Sequence, residues 1–307
     1  MRQAPGPVAI HHEGMTSTPD RAASTSATGL IAVTGATGHV GGLVAHDLAR
    51  EGAWLRLVVR SAARAPQLPG ATVAVASYGD HDSAVAALGG VDVLFMVSAA
   101  ESADRLDQHR TFIDAAVEAG VRHVVYTSFL SAGPDATFTL ARDHWATEEH
   151  LRATGLPHTI LRDSFYLDFL PELAGPDGVI RGPAGDGVVS GVARADVARV
   201  AANVLVAADE HAGATYELTG REALSLTEAA RIISEVTGRA TTYRPETVEE
   251  AYASRASYGA PDWQVDAWVS TYTAIDAGEL ALVTDTVDQL TGRRPTTLRE
   301  LLAPLAL

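Results

Sequence analysis

The stretch Thr34-Gly35-Ala36-Thr37-Gly38-His39-Val40-Gly41 follows a short apolar run and precedes a segment with helical periodicity. Glycine at position 35 permits a tight turn, and Gly38 lacks the Cβ that would block a phosphate. Gly41 allows the helix to pack closely on the strand. The free amides and the positive dipole end of such a helix attract phosphates. The stretch therefore predicts a strand, a turn and a helix that bind the pyrophosphate of a dinucleotide.

Apolar runs alternate with helix-like segments over the first half of the chain. The predicted strands are residues 30–33, 55–59, 72–75, 91–97, 123–127 and 158–161. Nearly continuous hydrophobic strands are typical of a parallel sheet that is buried on both faces. Val40, Leu43, Val44 and Leu48 form an apolar stripe with helical spacing after the first strand. The pattern predicts an α/β protein with a doubly wound parallel-sheet Rossmann fold.

The composition changes along the chain and predicts three regions. Residues 1–28 are rich in Pro, Gly, Ser and Thr, and we expect a disordered N-terminal tail. Residues 29–163 form the predicted NAD(P)-binding Rossmann domain. Residues 164–307 form a small, mostly helical C-terminal substrate lobe, from which some segments return to the sheet. Within this lobe we expect a loop at residues 175–187 and a helix at residues 194–206. Two capping pairs mark further helix starts, namely Ser225 with Glu228 and Thr297 with Glu300.

The overall composition excludes several classes of function. The formal net charge is -15, so a nucleic-acid backbone would be repelled and we expect no nucleic-acid partner. There is no cysteine, which excludes disulfides and thiolate metal sites, and no metal site is evident. The longest apolar runs are too short to cross a bilayer. We expect a cytoplasmic protein that does not enter membranes. The sequence leaves a homodimer open, because no pairing seam is visible.

The second predicted strand ends at Arg60, where a site that prefers NAD usually has an acidic residue. A guanidinium suits the 2′-phosphate of NADP, and Arg64 follows one helical turn later. This favours NADPH over NADH, with a solvated arginine as the alternative. By their positions after the third and fourth strands, Asp80 is expected near the adenine and Ser98 near a ribose.

Seven segments, taken in order, resemble a known family. They are TGATGHVG (34–41), VVR (58–60), YGD (78–80), HVVYTS (123–128), DHWATEEHL (143–151), ILRDSFYLD (160–168) and AGDG (184–187). The chain resembles the atypical short-chain dehydrogenase/reductases of the NmrA-like group, and within that group the type-2 NAD(P)H:quinone oxidoreductases. The resemblance implies a Rossmann domain, a small lobe and a substrate cleft between them. With the positions above, it yields the expected cofactor-binding residues Gly35, Thr37, Gly38, His39, Val40, Gly41, Arg60, Asp80, Ser98, Thr127 and Arg162.

Most short-chain reductases use a Tyr-x-x-x-Lys pair to protonate the product oxygen. Alignment on the family helix places Leu140 and His144 at these two positions, so the pair is absent. A ketone becomes a strongly basic alkoxide and needs a positioned acid, whereas a quinone becomes a weakly basic aryl oxide. We expect His144 and Ser128 to be the catalytic candidates. The alternatives are a hydrogen-bonded helix histidine and a serine that caps a strand end.

Aromatic side chains are 6% of the chain, so their positions are informative. We expect an aromatic wall that stacks on a planar acceptor, and the alternative is that these side chains belong to the core. The candidates for this wall are Phe129, Phe138, Trp145, Phe165, Tyr166 and Phe169. Tyr252, Tyr258 and Trp263 lie in a stretch broken by Gly and Pro, which we expect to form a lid or a dimer contact. Glu148 and Glu149 are expected to be surface charges, and Asp196 a helix cap or an ion-pair partner.

Three functions fit these observations. The leading hypothesis is an NADPH-dependent reductase of quinones or similar planar conjugated acceptors. The second is a non-catalytic NADP(H)-sensing regulator that binds a protein partner, which the missing Tyr and Lys would permit. The third is a reductase that tailors a specialised metabolite with the same hydride chemistry.

Overall fold

A parallel sheet forms the centre of the structure. The computed structural model describes residues 29–305, so the predicted tail at residues 1–28 lies outside the described residues. The strands of the described part, numbered along the chain, are β1 Ile31–Thr34, β2 Leu55–Val59, β3 Ala71–Val75, β4 Val93–Met96, β5 His123–Phe129, β6 His158–Asp163, β7 Val179–Gly182, β8 Val188–Val189, β9 Thr215–Leu218, β10 Leu224–Ser225 and β11 Thr242–Pro245.

Seven of these strands form the central sheet in the order β3-β2-β1-β4-β5-β6-β9. Every neighbouring pair in this sheet runs parallel. The direction of strand order reverses between β1 and β4, and ligands bind at the carboxyl ends of the strands beside such a switch point. The predicted doubly wound α/β fold is thereby confirmed.

Helices cover both faces of the sheet. Those of the described residues are α1 His39–Arg50, α2 His81–Leu88, α3 Arg105–Glu118, α4 Thr139–Ala153, α5 Arg194–Val206, α6 Leu226–Thr237, α7 Val248–Arg255, α8 Asp262–Asp276, α9 Thr286–Thr291 and α10 Leu298–Leu302. Helices α1 and α5 share one core, to which Val44 and Val204 contribute. Helices α2, α3 and α4 cover the opposite face, where Phe112 and Leu151 are fully buried. None of these helices has the length and apolar character that a membrane span requires.

The chain after β6 both completes the sheet and builds a second core. Strand β9 pairs with β6, and α5 packs against α1, so both elements belong to the sheet region. The second core contains Leu170, Ile180, Ile233 and Tyr272. The expectation of a loop throughout residues 175–187 is wrong, because β7 lies within it and pairs with β11. Ile180 of β7 is completely buried, which explains why this segment is a strand.

The contact between α1 and β1 generates a prediction for stability. A Cβ atom at Gly41 would lie 2.5 Å from the carbonyl oxygens of both Gly35 and Thr34. We expect Gly41→Ala to lower the free energy of unfolding by about 1–3 kcal/mol, the usual cost of overpacking. Chemical denaturation of the cofactor-free protein measures the change. Gly133→Ala is the control, because its added Cβ would meet its nearest neighbour at 3.8 Å. Equal losses in the two variants would contradict the steric explanation.

Candidate active site

The turn between β1 and α1 has the geometry of a phosphate-binding loop. Gly35 has a φ of +63°, in the left-handed region, and its carbonyl oxygen accepts a 2.8 Å hydrogen bond from the Gly38 amide. Gly38 is the N-cap of α1, and no side chain caps the first amides of the helix. Gly35, Thr37, Gly38 and His39 are exposed along the turn. Val40 is 6% exposed and packs into the core, so only its backbone can face a ligand. These residues fit the pyrophosphate of a dinucleotide.

Arg60 lies directly after β2, at the same edge of the sheet. Its side chain and that of Arg64 are exposed, and no ion pair within residues 29–305 involves either of them. Both guanidinium groups are therefore free to meet an added phosphate. Asp80 instead caps α2, where its carboxylate accepts from the Ser83 amide at 3.2 Å.

The Thr34 hydroxyl joins three segments at the switch point. Its Oγ1 accepts from the Val97 amide at 2.9 Å and donates to the Phe95 carbonyl oxygen at 3.1 Å. The Tyr78 hydroxyl lies 2.6 Å from the same oxygen and 2.5 Å from the Val97 carbonyl oxygen. The Tyr78 ring stacks on Phe112 with centroids 4.3 Å apart. Tyr78 is thus a structural residue that closes the floor of the crevice.

The hydroxyls at the end of β5 are already hydrogen-bonded. Thr127 Oγ1 accepts from the Ser98 amide at 2.8 Å, which connects the segment after β4 to β5. Ser128 Oγ donates to Glu148 Oε1 at 2.5 Å. Thr127 and Ser128 are only 2% and 3% exposed. The geometry matches a structural serine better than an open catalytic hydroxyl.

Glu148 is the principal site residue that sequence reasoning missed. The expectation of a surface charge is wrong, because its side chain is fully buried between α4 and the sheet. It accepts two hydrogen bonds from Arg162, at 2.8 Å from Nε and 2.7 Å from Nη2. Arg162 Nη1 donates to Glu217 at 3.1 Å, so both carboxylates hold this guanidinium. The hydrogen bonds to Glu148 raise the pKa of Arg162. The neighbouring Glu149 is exposed, as expected.

Arg162 is consequently not free to bind the cofactor through its guanidinium. All three of its nitrogen atoms donate to Glu148 or Glu217. The pair joins α4 to β6 and fixes the helix that carries His144. The sequence places Arg162 just after the sixth strand, whereas in the structure it lies within β6 and its contacts are structural.

His144 occupies a buried polar network and has no free ring nitrogen. Arg105 Nη2 lies 2.9 Å from Nε2, and because arginine can only donate, Nε2 accepts. The opposite nitrogen, Nδ1, then donates to the Tyr126 hydroxyl at 2.9 Å. Burial, with Arg105 as the next cause, holds the pKa of His144 well below its usual range. The same two causes lower the pKa of His109 to about 3. These contacts argue against proton donation by His144 and match the hydrogen-bonded alternative.

The predicted aromatic wall divides into separate groups. Phe165 and Phe169 line a cavity of about 760 Å³ between the 3₁₀ segment Leu167–Leu173 and helices α7 and α8. Phe129 and Phe138 meet each other, with ring centroids 4.9 Å apart, and do not line it. Tyr166 and Trp145 also lie outside the lining.

The remaining aromatic side chains of this cavity come from the C-terminal lobe. They are Tyr258, Trp268 and Tyr272. Only Tyr258 belongs to the stretch that the sequence marked as a lid or a dimer contact. The lining also includes Glu101, which belongs to the segment between β4 and α3. Within the described residues, no group of three or more His, Asp or Glu side chains could hold a metal ion.

Asp163 is a buried carboxyl group at the end of β6. Its Oδ2 lies 2.8 Å from the Tyr166 hydroxyl, which donates to it. Its Oδ1 is buried without a hydrogen-bond partner in the structure. Burial raises the pKa of Asp163 to about 8, so the group is largely protonated at neutral pH.

Comparison with known proteins identifies the family. Residues 27–261 match the NmrA-like family. The chain belongs to the NmrA-like family. One similar protein is quinone oxidoreductase 2 of Escherichia coli strain K12, which is 36% identical over 278 residues, or 88% of this chain and 96% of that protein.

Solved structures of similar proteins have the same fold. The NADPH-dependent quinone oxidoreductase of Escherichia coli, complexed with NADPH, superimposes with a TM-score of 0.81 at 35% identity, over 90% of this chain and 99% of that chain. The Citrobacter sp. triphenylmethane reductase complexed with NADP(H) gives a TM-score of 0.80 at 32% identity, again over 90% and 99%.

The buried pair in this NmrA-like protein predicts unequal roles for two adjacent glutamates. We expect Glu148→Gln to lower the free energy of unfolding by roughly 1.5–3 kcal/mol, because hydrogen bonds to charged groups are of this size. Glu149→Gln is the matched control and should change it by less than about 0.5 kcal/mol. Chemical denaturation of both variants tests the assignment, and similar effects would show that Glu148 is not the buried partner.

The protonated Asp163 predicts a dependence of stability on pH. Between the ordinary value of 3.8 and about 8, the folded protein retains a proton that the unfolded chain has released. The free energy of unfolding therefore falls as the pH rises through this interval. We expect Asp163→Asn to remove this part of the slope and to be the more stable protein near pH 8, by more than about 1.4 kcal/mol. Chemical denaturation of both proteins at several pH values between 3.8 and about 8 measures the free energy of unfolding and its slope. An unchanged slope in Asp163→Asn, or the same change in the exposed control Asp135→Asn, would contradict it.

Proposed function

We propose that this protein is an NADPH-dependent reductase that transfers a hydride to a quinone or a similar planar conjugated acceptor without a Tyr-x-x-x-Lys pair. Its family and its relatives make it an NAD(P)H-dependent oxidoreductase. The observation that supports the finer proposal is the contrast between the exposed, unpaired Arg60 and the hydrogen-bonded side chains of Ser128 and His144.

The cofactor proposal rests on two parts of one edge of the sheet. When bound, NADPH supplies the hydride. The exposed turn from Gly35 to His39 offers backbone amides to the pyrophosphate, and Arg60 offers a planar donor fork to the 2′-phosphate. Gly41 keeps α1 close enough to β1 for these amides to reach the same ligand.

The proposed class of acceptor follows from the absence of a side chain that could donate a proton to the product oxygen. Ser128 is bound to Glu148 and His144 is bound to Arg105 and Tyr126, so neither offers a proton to a product oxygen. A reduced quinone is a weak base, and solvent can complete its protonation after hydride transfer. The site then acts mainly by positioning the acceptor in the 760 Å³ cavity. The cytoplasmic location and the homodimer stay predictions.

The deciding experiment follows NADPH absorbance with benzoquinone, menadione and simple aldehydes, beside the same reactions with NADH. We expect turnover with the quinones and none with the aldehydes. Tight NADPH binding without turnover of any acceptor would favour a redox-sensing regulator. Turnover of one complex conjugated compound alone would favour a tailoring reductase.

The role of Arg60 gives a separate prediction. We expect Arg60→Ala to lower kcat/KM for NADPH roughly ten- to hundredfold, because a charge-assisted contact to the 2′-phosphate is lost. The value for NADH should be nearly unchanged, since NADH lacks this phosphate. Arg50→Ala is the control, because Arg50 lies exposed at the opposite end of α1 and pairs with Asp47. Equal losses with both cofactors would contradict phosphate recognition by Arg60.

A further inference from the structure

Two aromatic rings form an open corner in the 760 Å³ cavity. The rings of Tyr258 and Trp268 meet at 88°, with centroids 5.9 Å apart. Tyr258 is 72% exposed, so one face of its ring is open to an occupant. Within residues 29–305 no cation lies over either ring, whereas Tyr272 already has the Arg255 guanidinium 5.2 Å from its centroid. An open aromatic corner attracts a planar ring, and attracts it more strongly when that ring carries positive charge.

The positive charges of the cavity wall are neutralised by partners. The charged lining residues are Glu101, Glu172, Arg181 and Arg255. Arg181 Nη2 donates to Asp177 at 2.6 Å. Arg255 Nη1 donates to Glu246 at 3.1 Å, and its Nη2 donates to a backbone carbonyl oxygen. Neither arginine has a charge left without a counter-ion for an incoming anion.

The two acidic lining residues have no such counter-ions. Glu172 takes part in no ion pair of the described chain, and its side chain is exposed. Glu101 accepts from the neutral amide of Gln264 at 3.2 Å and is likewise exposed. The mouth of the cavity therefore carries two uncompensated negative charges. The formal net charge of -15 adds a long-range attraction for cations.

We infer that this cavity takes a cationic planar aromatic acceptor, with Glu101 and Glu172 as the residues that select its charge. The ring of the acceptor stacks in the corner of Tyr258 and Trp268. The inference rests on the proposed function, because it specifies the acceptor class of the same site. An anionic acceptor of equal shape finds both lining arginines already paired and is repelled by the two glutamates.

The test uses three anthraquinones of one skeleton that carry a trimethylammoniomethyl, a hydroxymethyl or a sulfonate substituent at the same ring carbon. Their affinities for the full-length protein with NADP⁺ bound are measured by quenching of tryptophan fluorescence, which does not require turnover. We expect the cation to bind most tightly and the anion most weakly at low salt. The difference should shrink at high salt, because exposed charges are screened.

Glu101→Gln and Glu172→Gln should each weaken binding of the cation roughly three- to fivefold, which is the range of one exposed charge contact. The double variant should nearly remove the order of affinities. Glu51→Gln/Glu210→Gln is the matched control, because it removes two exposed charges away from the cavity and should preserve the order. Equal affinities in the wild type, or an order that survives in the double variant, would overturn the inference.

NADPH oxidation with the same three compounds separates this inference from the proposed function. If the cation binds selectively but no compound is reduced, the proposed reductase activity is wrong and the charge selectivity of the cavity is supported. If all three compounds are reduced with equal kcat/KM, the charge selectivity is wrong and the proposed reductase activity is supported.

Discussion

The direct backbone contact between helix α1 and strand β1 is the constraint on which the rest of the structure depends. Because Gly41 has no side chain, the carbonyl oxygens of Thr34 and Gly35 lie against the helix. This contact fixes the direction of α1 and places its uncapped amides at the carboxyl edge of the sheet. The same edge contains the switch point between β1 and β4. The absence of a side chain at Gly41 thus sets the position of the turn between β1 and α1 relative to the crevice.

Much of this fold could be predicted because its signals are local in sequence. The glycine-rich turn, the apolar run of β2 and the capping box of Ser225 with Glu228 are each contained within a few neighbouring residues. Strand β7 was missed because its partner, β11, comes much later in the chain. A short strand surrounded by Gly, Pro and Asp has no local signal that distinguishes it from a loop. Its stability comes from burial of Ile180 in the second core.

The candidate site was less predictable, because its chemistry depends on partners from different elements. Two adjacent glutamates, 148 and 149, look alike in the sequence, and only the rotation of α4 against the sheet decides which one is buried. Besides Arg152 on its own helix, the partners of Glu148 are Ser128 on β5 and Arg162 on β6. The aromatic corner likewise combines residues that sequence analysis had no reason to join with Phe165. The sequence could predict which residue types would lie near the site, but it could not predict which charged side chains would lack a counter-ion.

The Thr34 hydroxyl has a mechanical consequence for the sheet. A single oxygen connects β1, the end of β4 and the segment after β3. These connections add side-chain hydrogen bonds to the backbone pairing of β1 with β4, at the point where the strand order reverses. Because this one oxygen bonds to groups of three segments, loss of the Thr34 hydroxyl would remove hydrogen bonds from the ends of β1 and β4 and from Tyr78 at the same time.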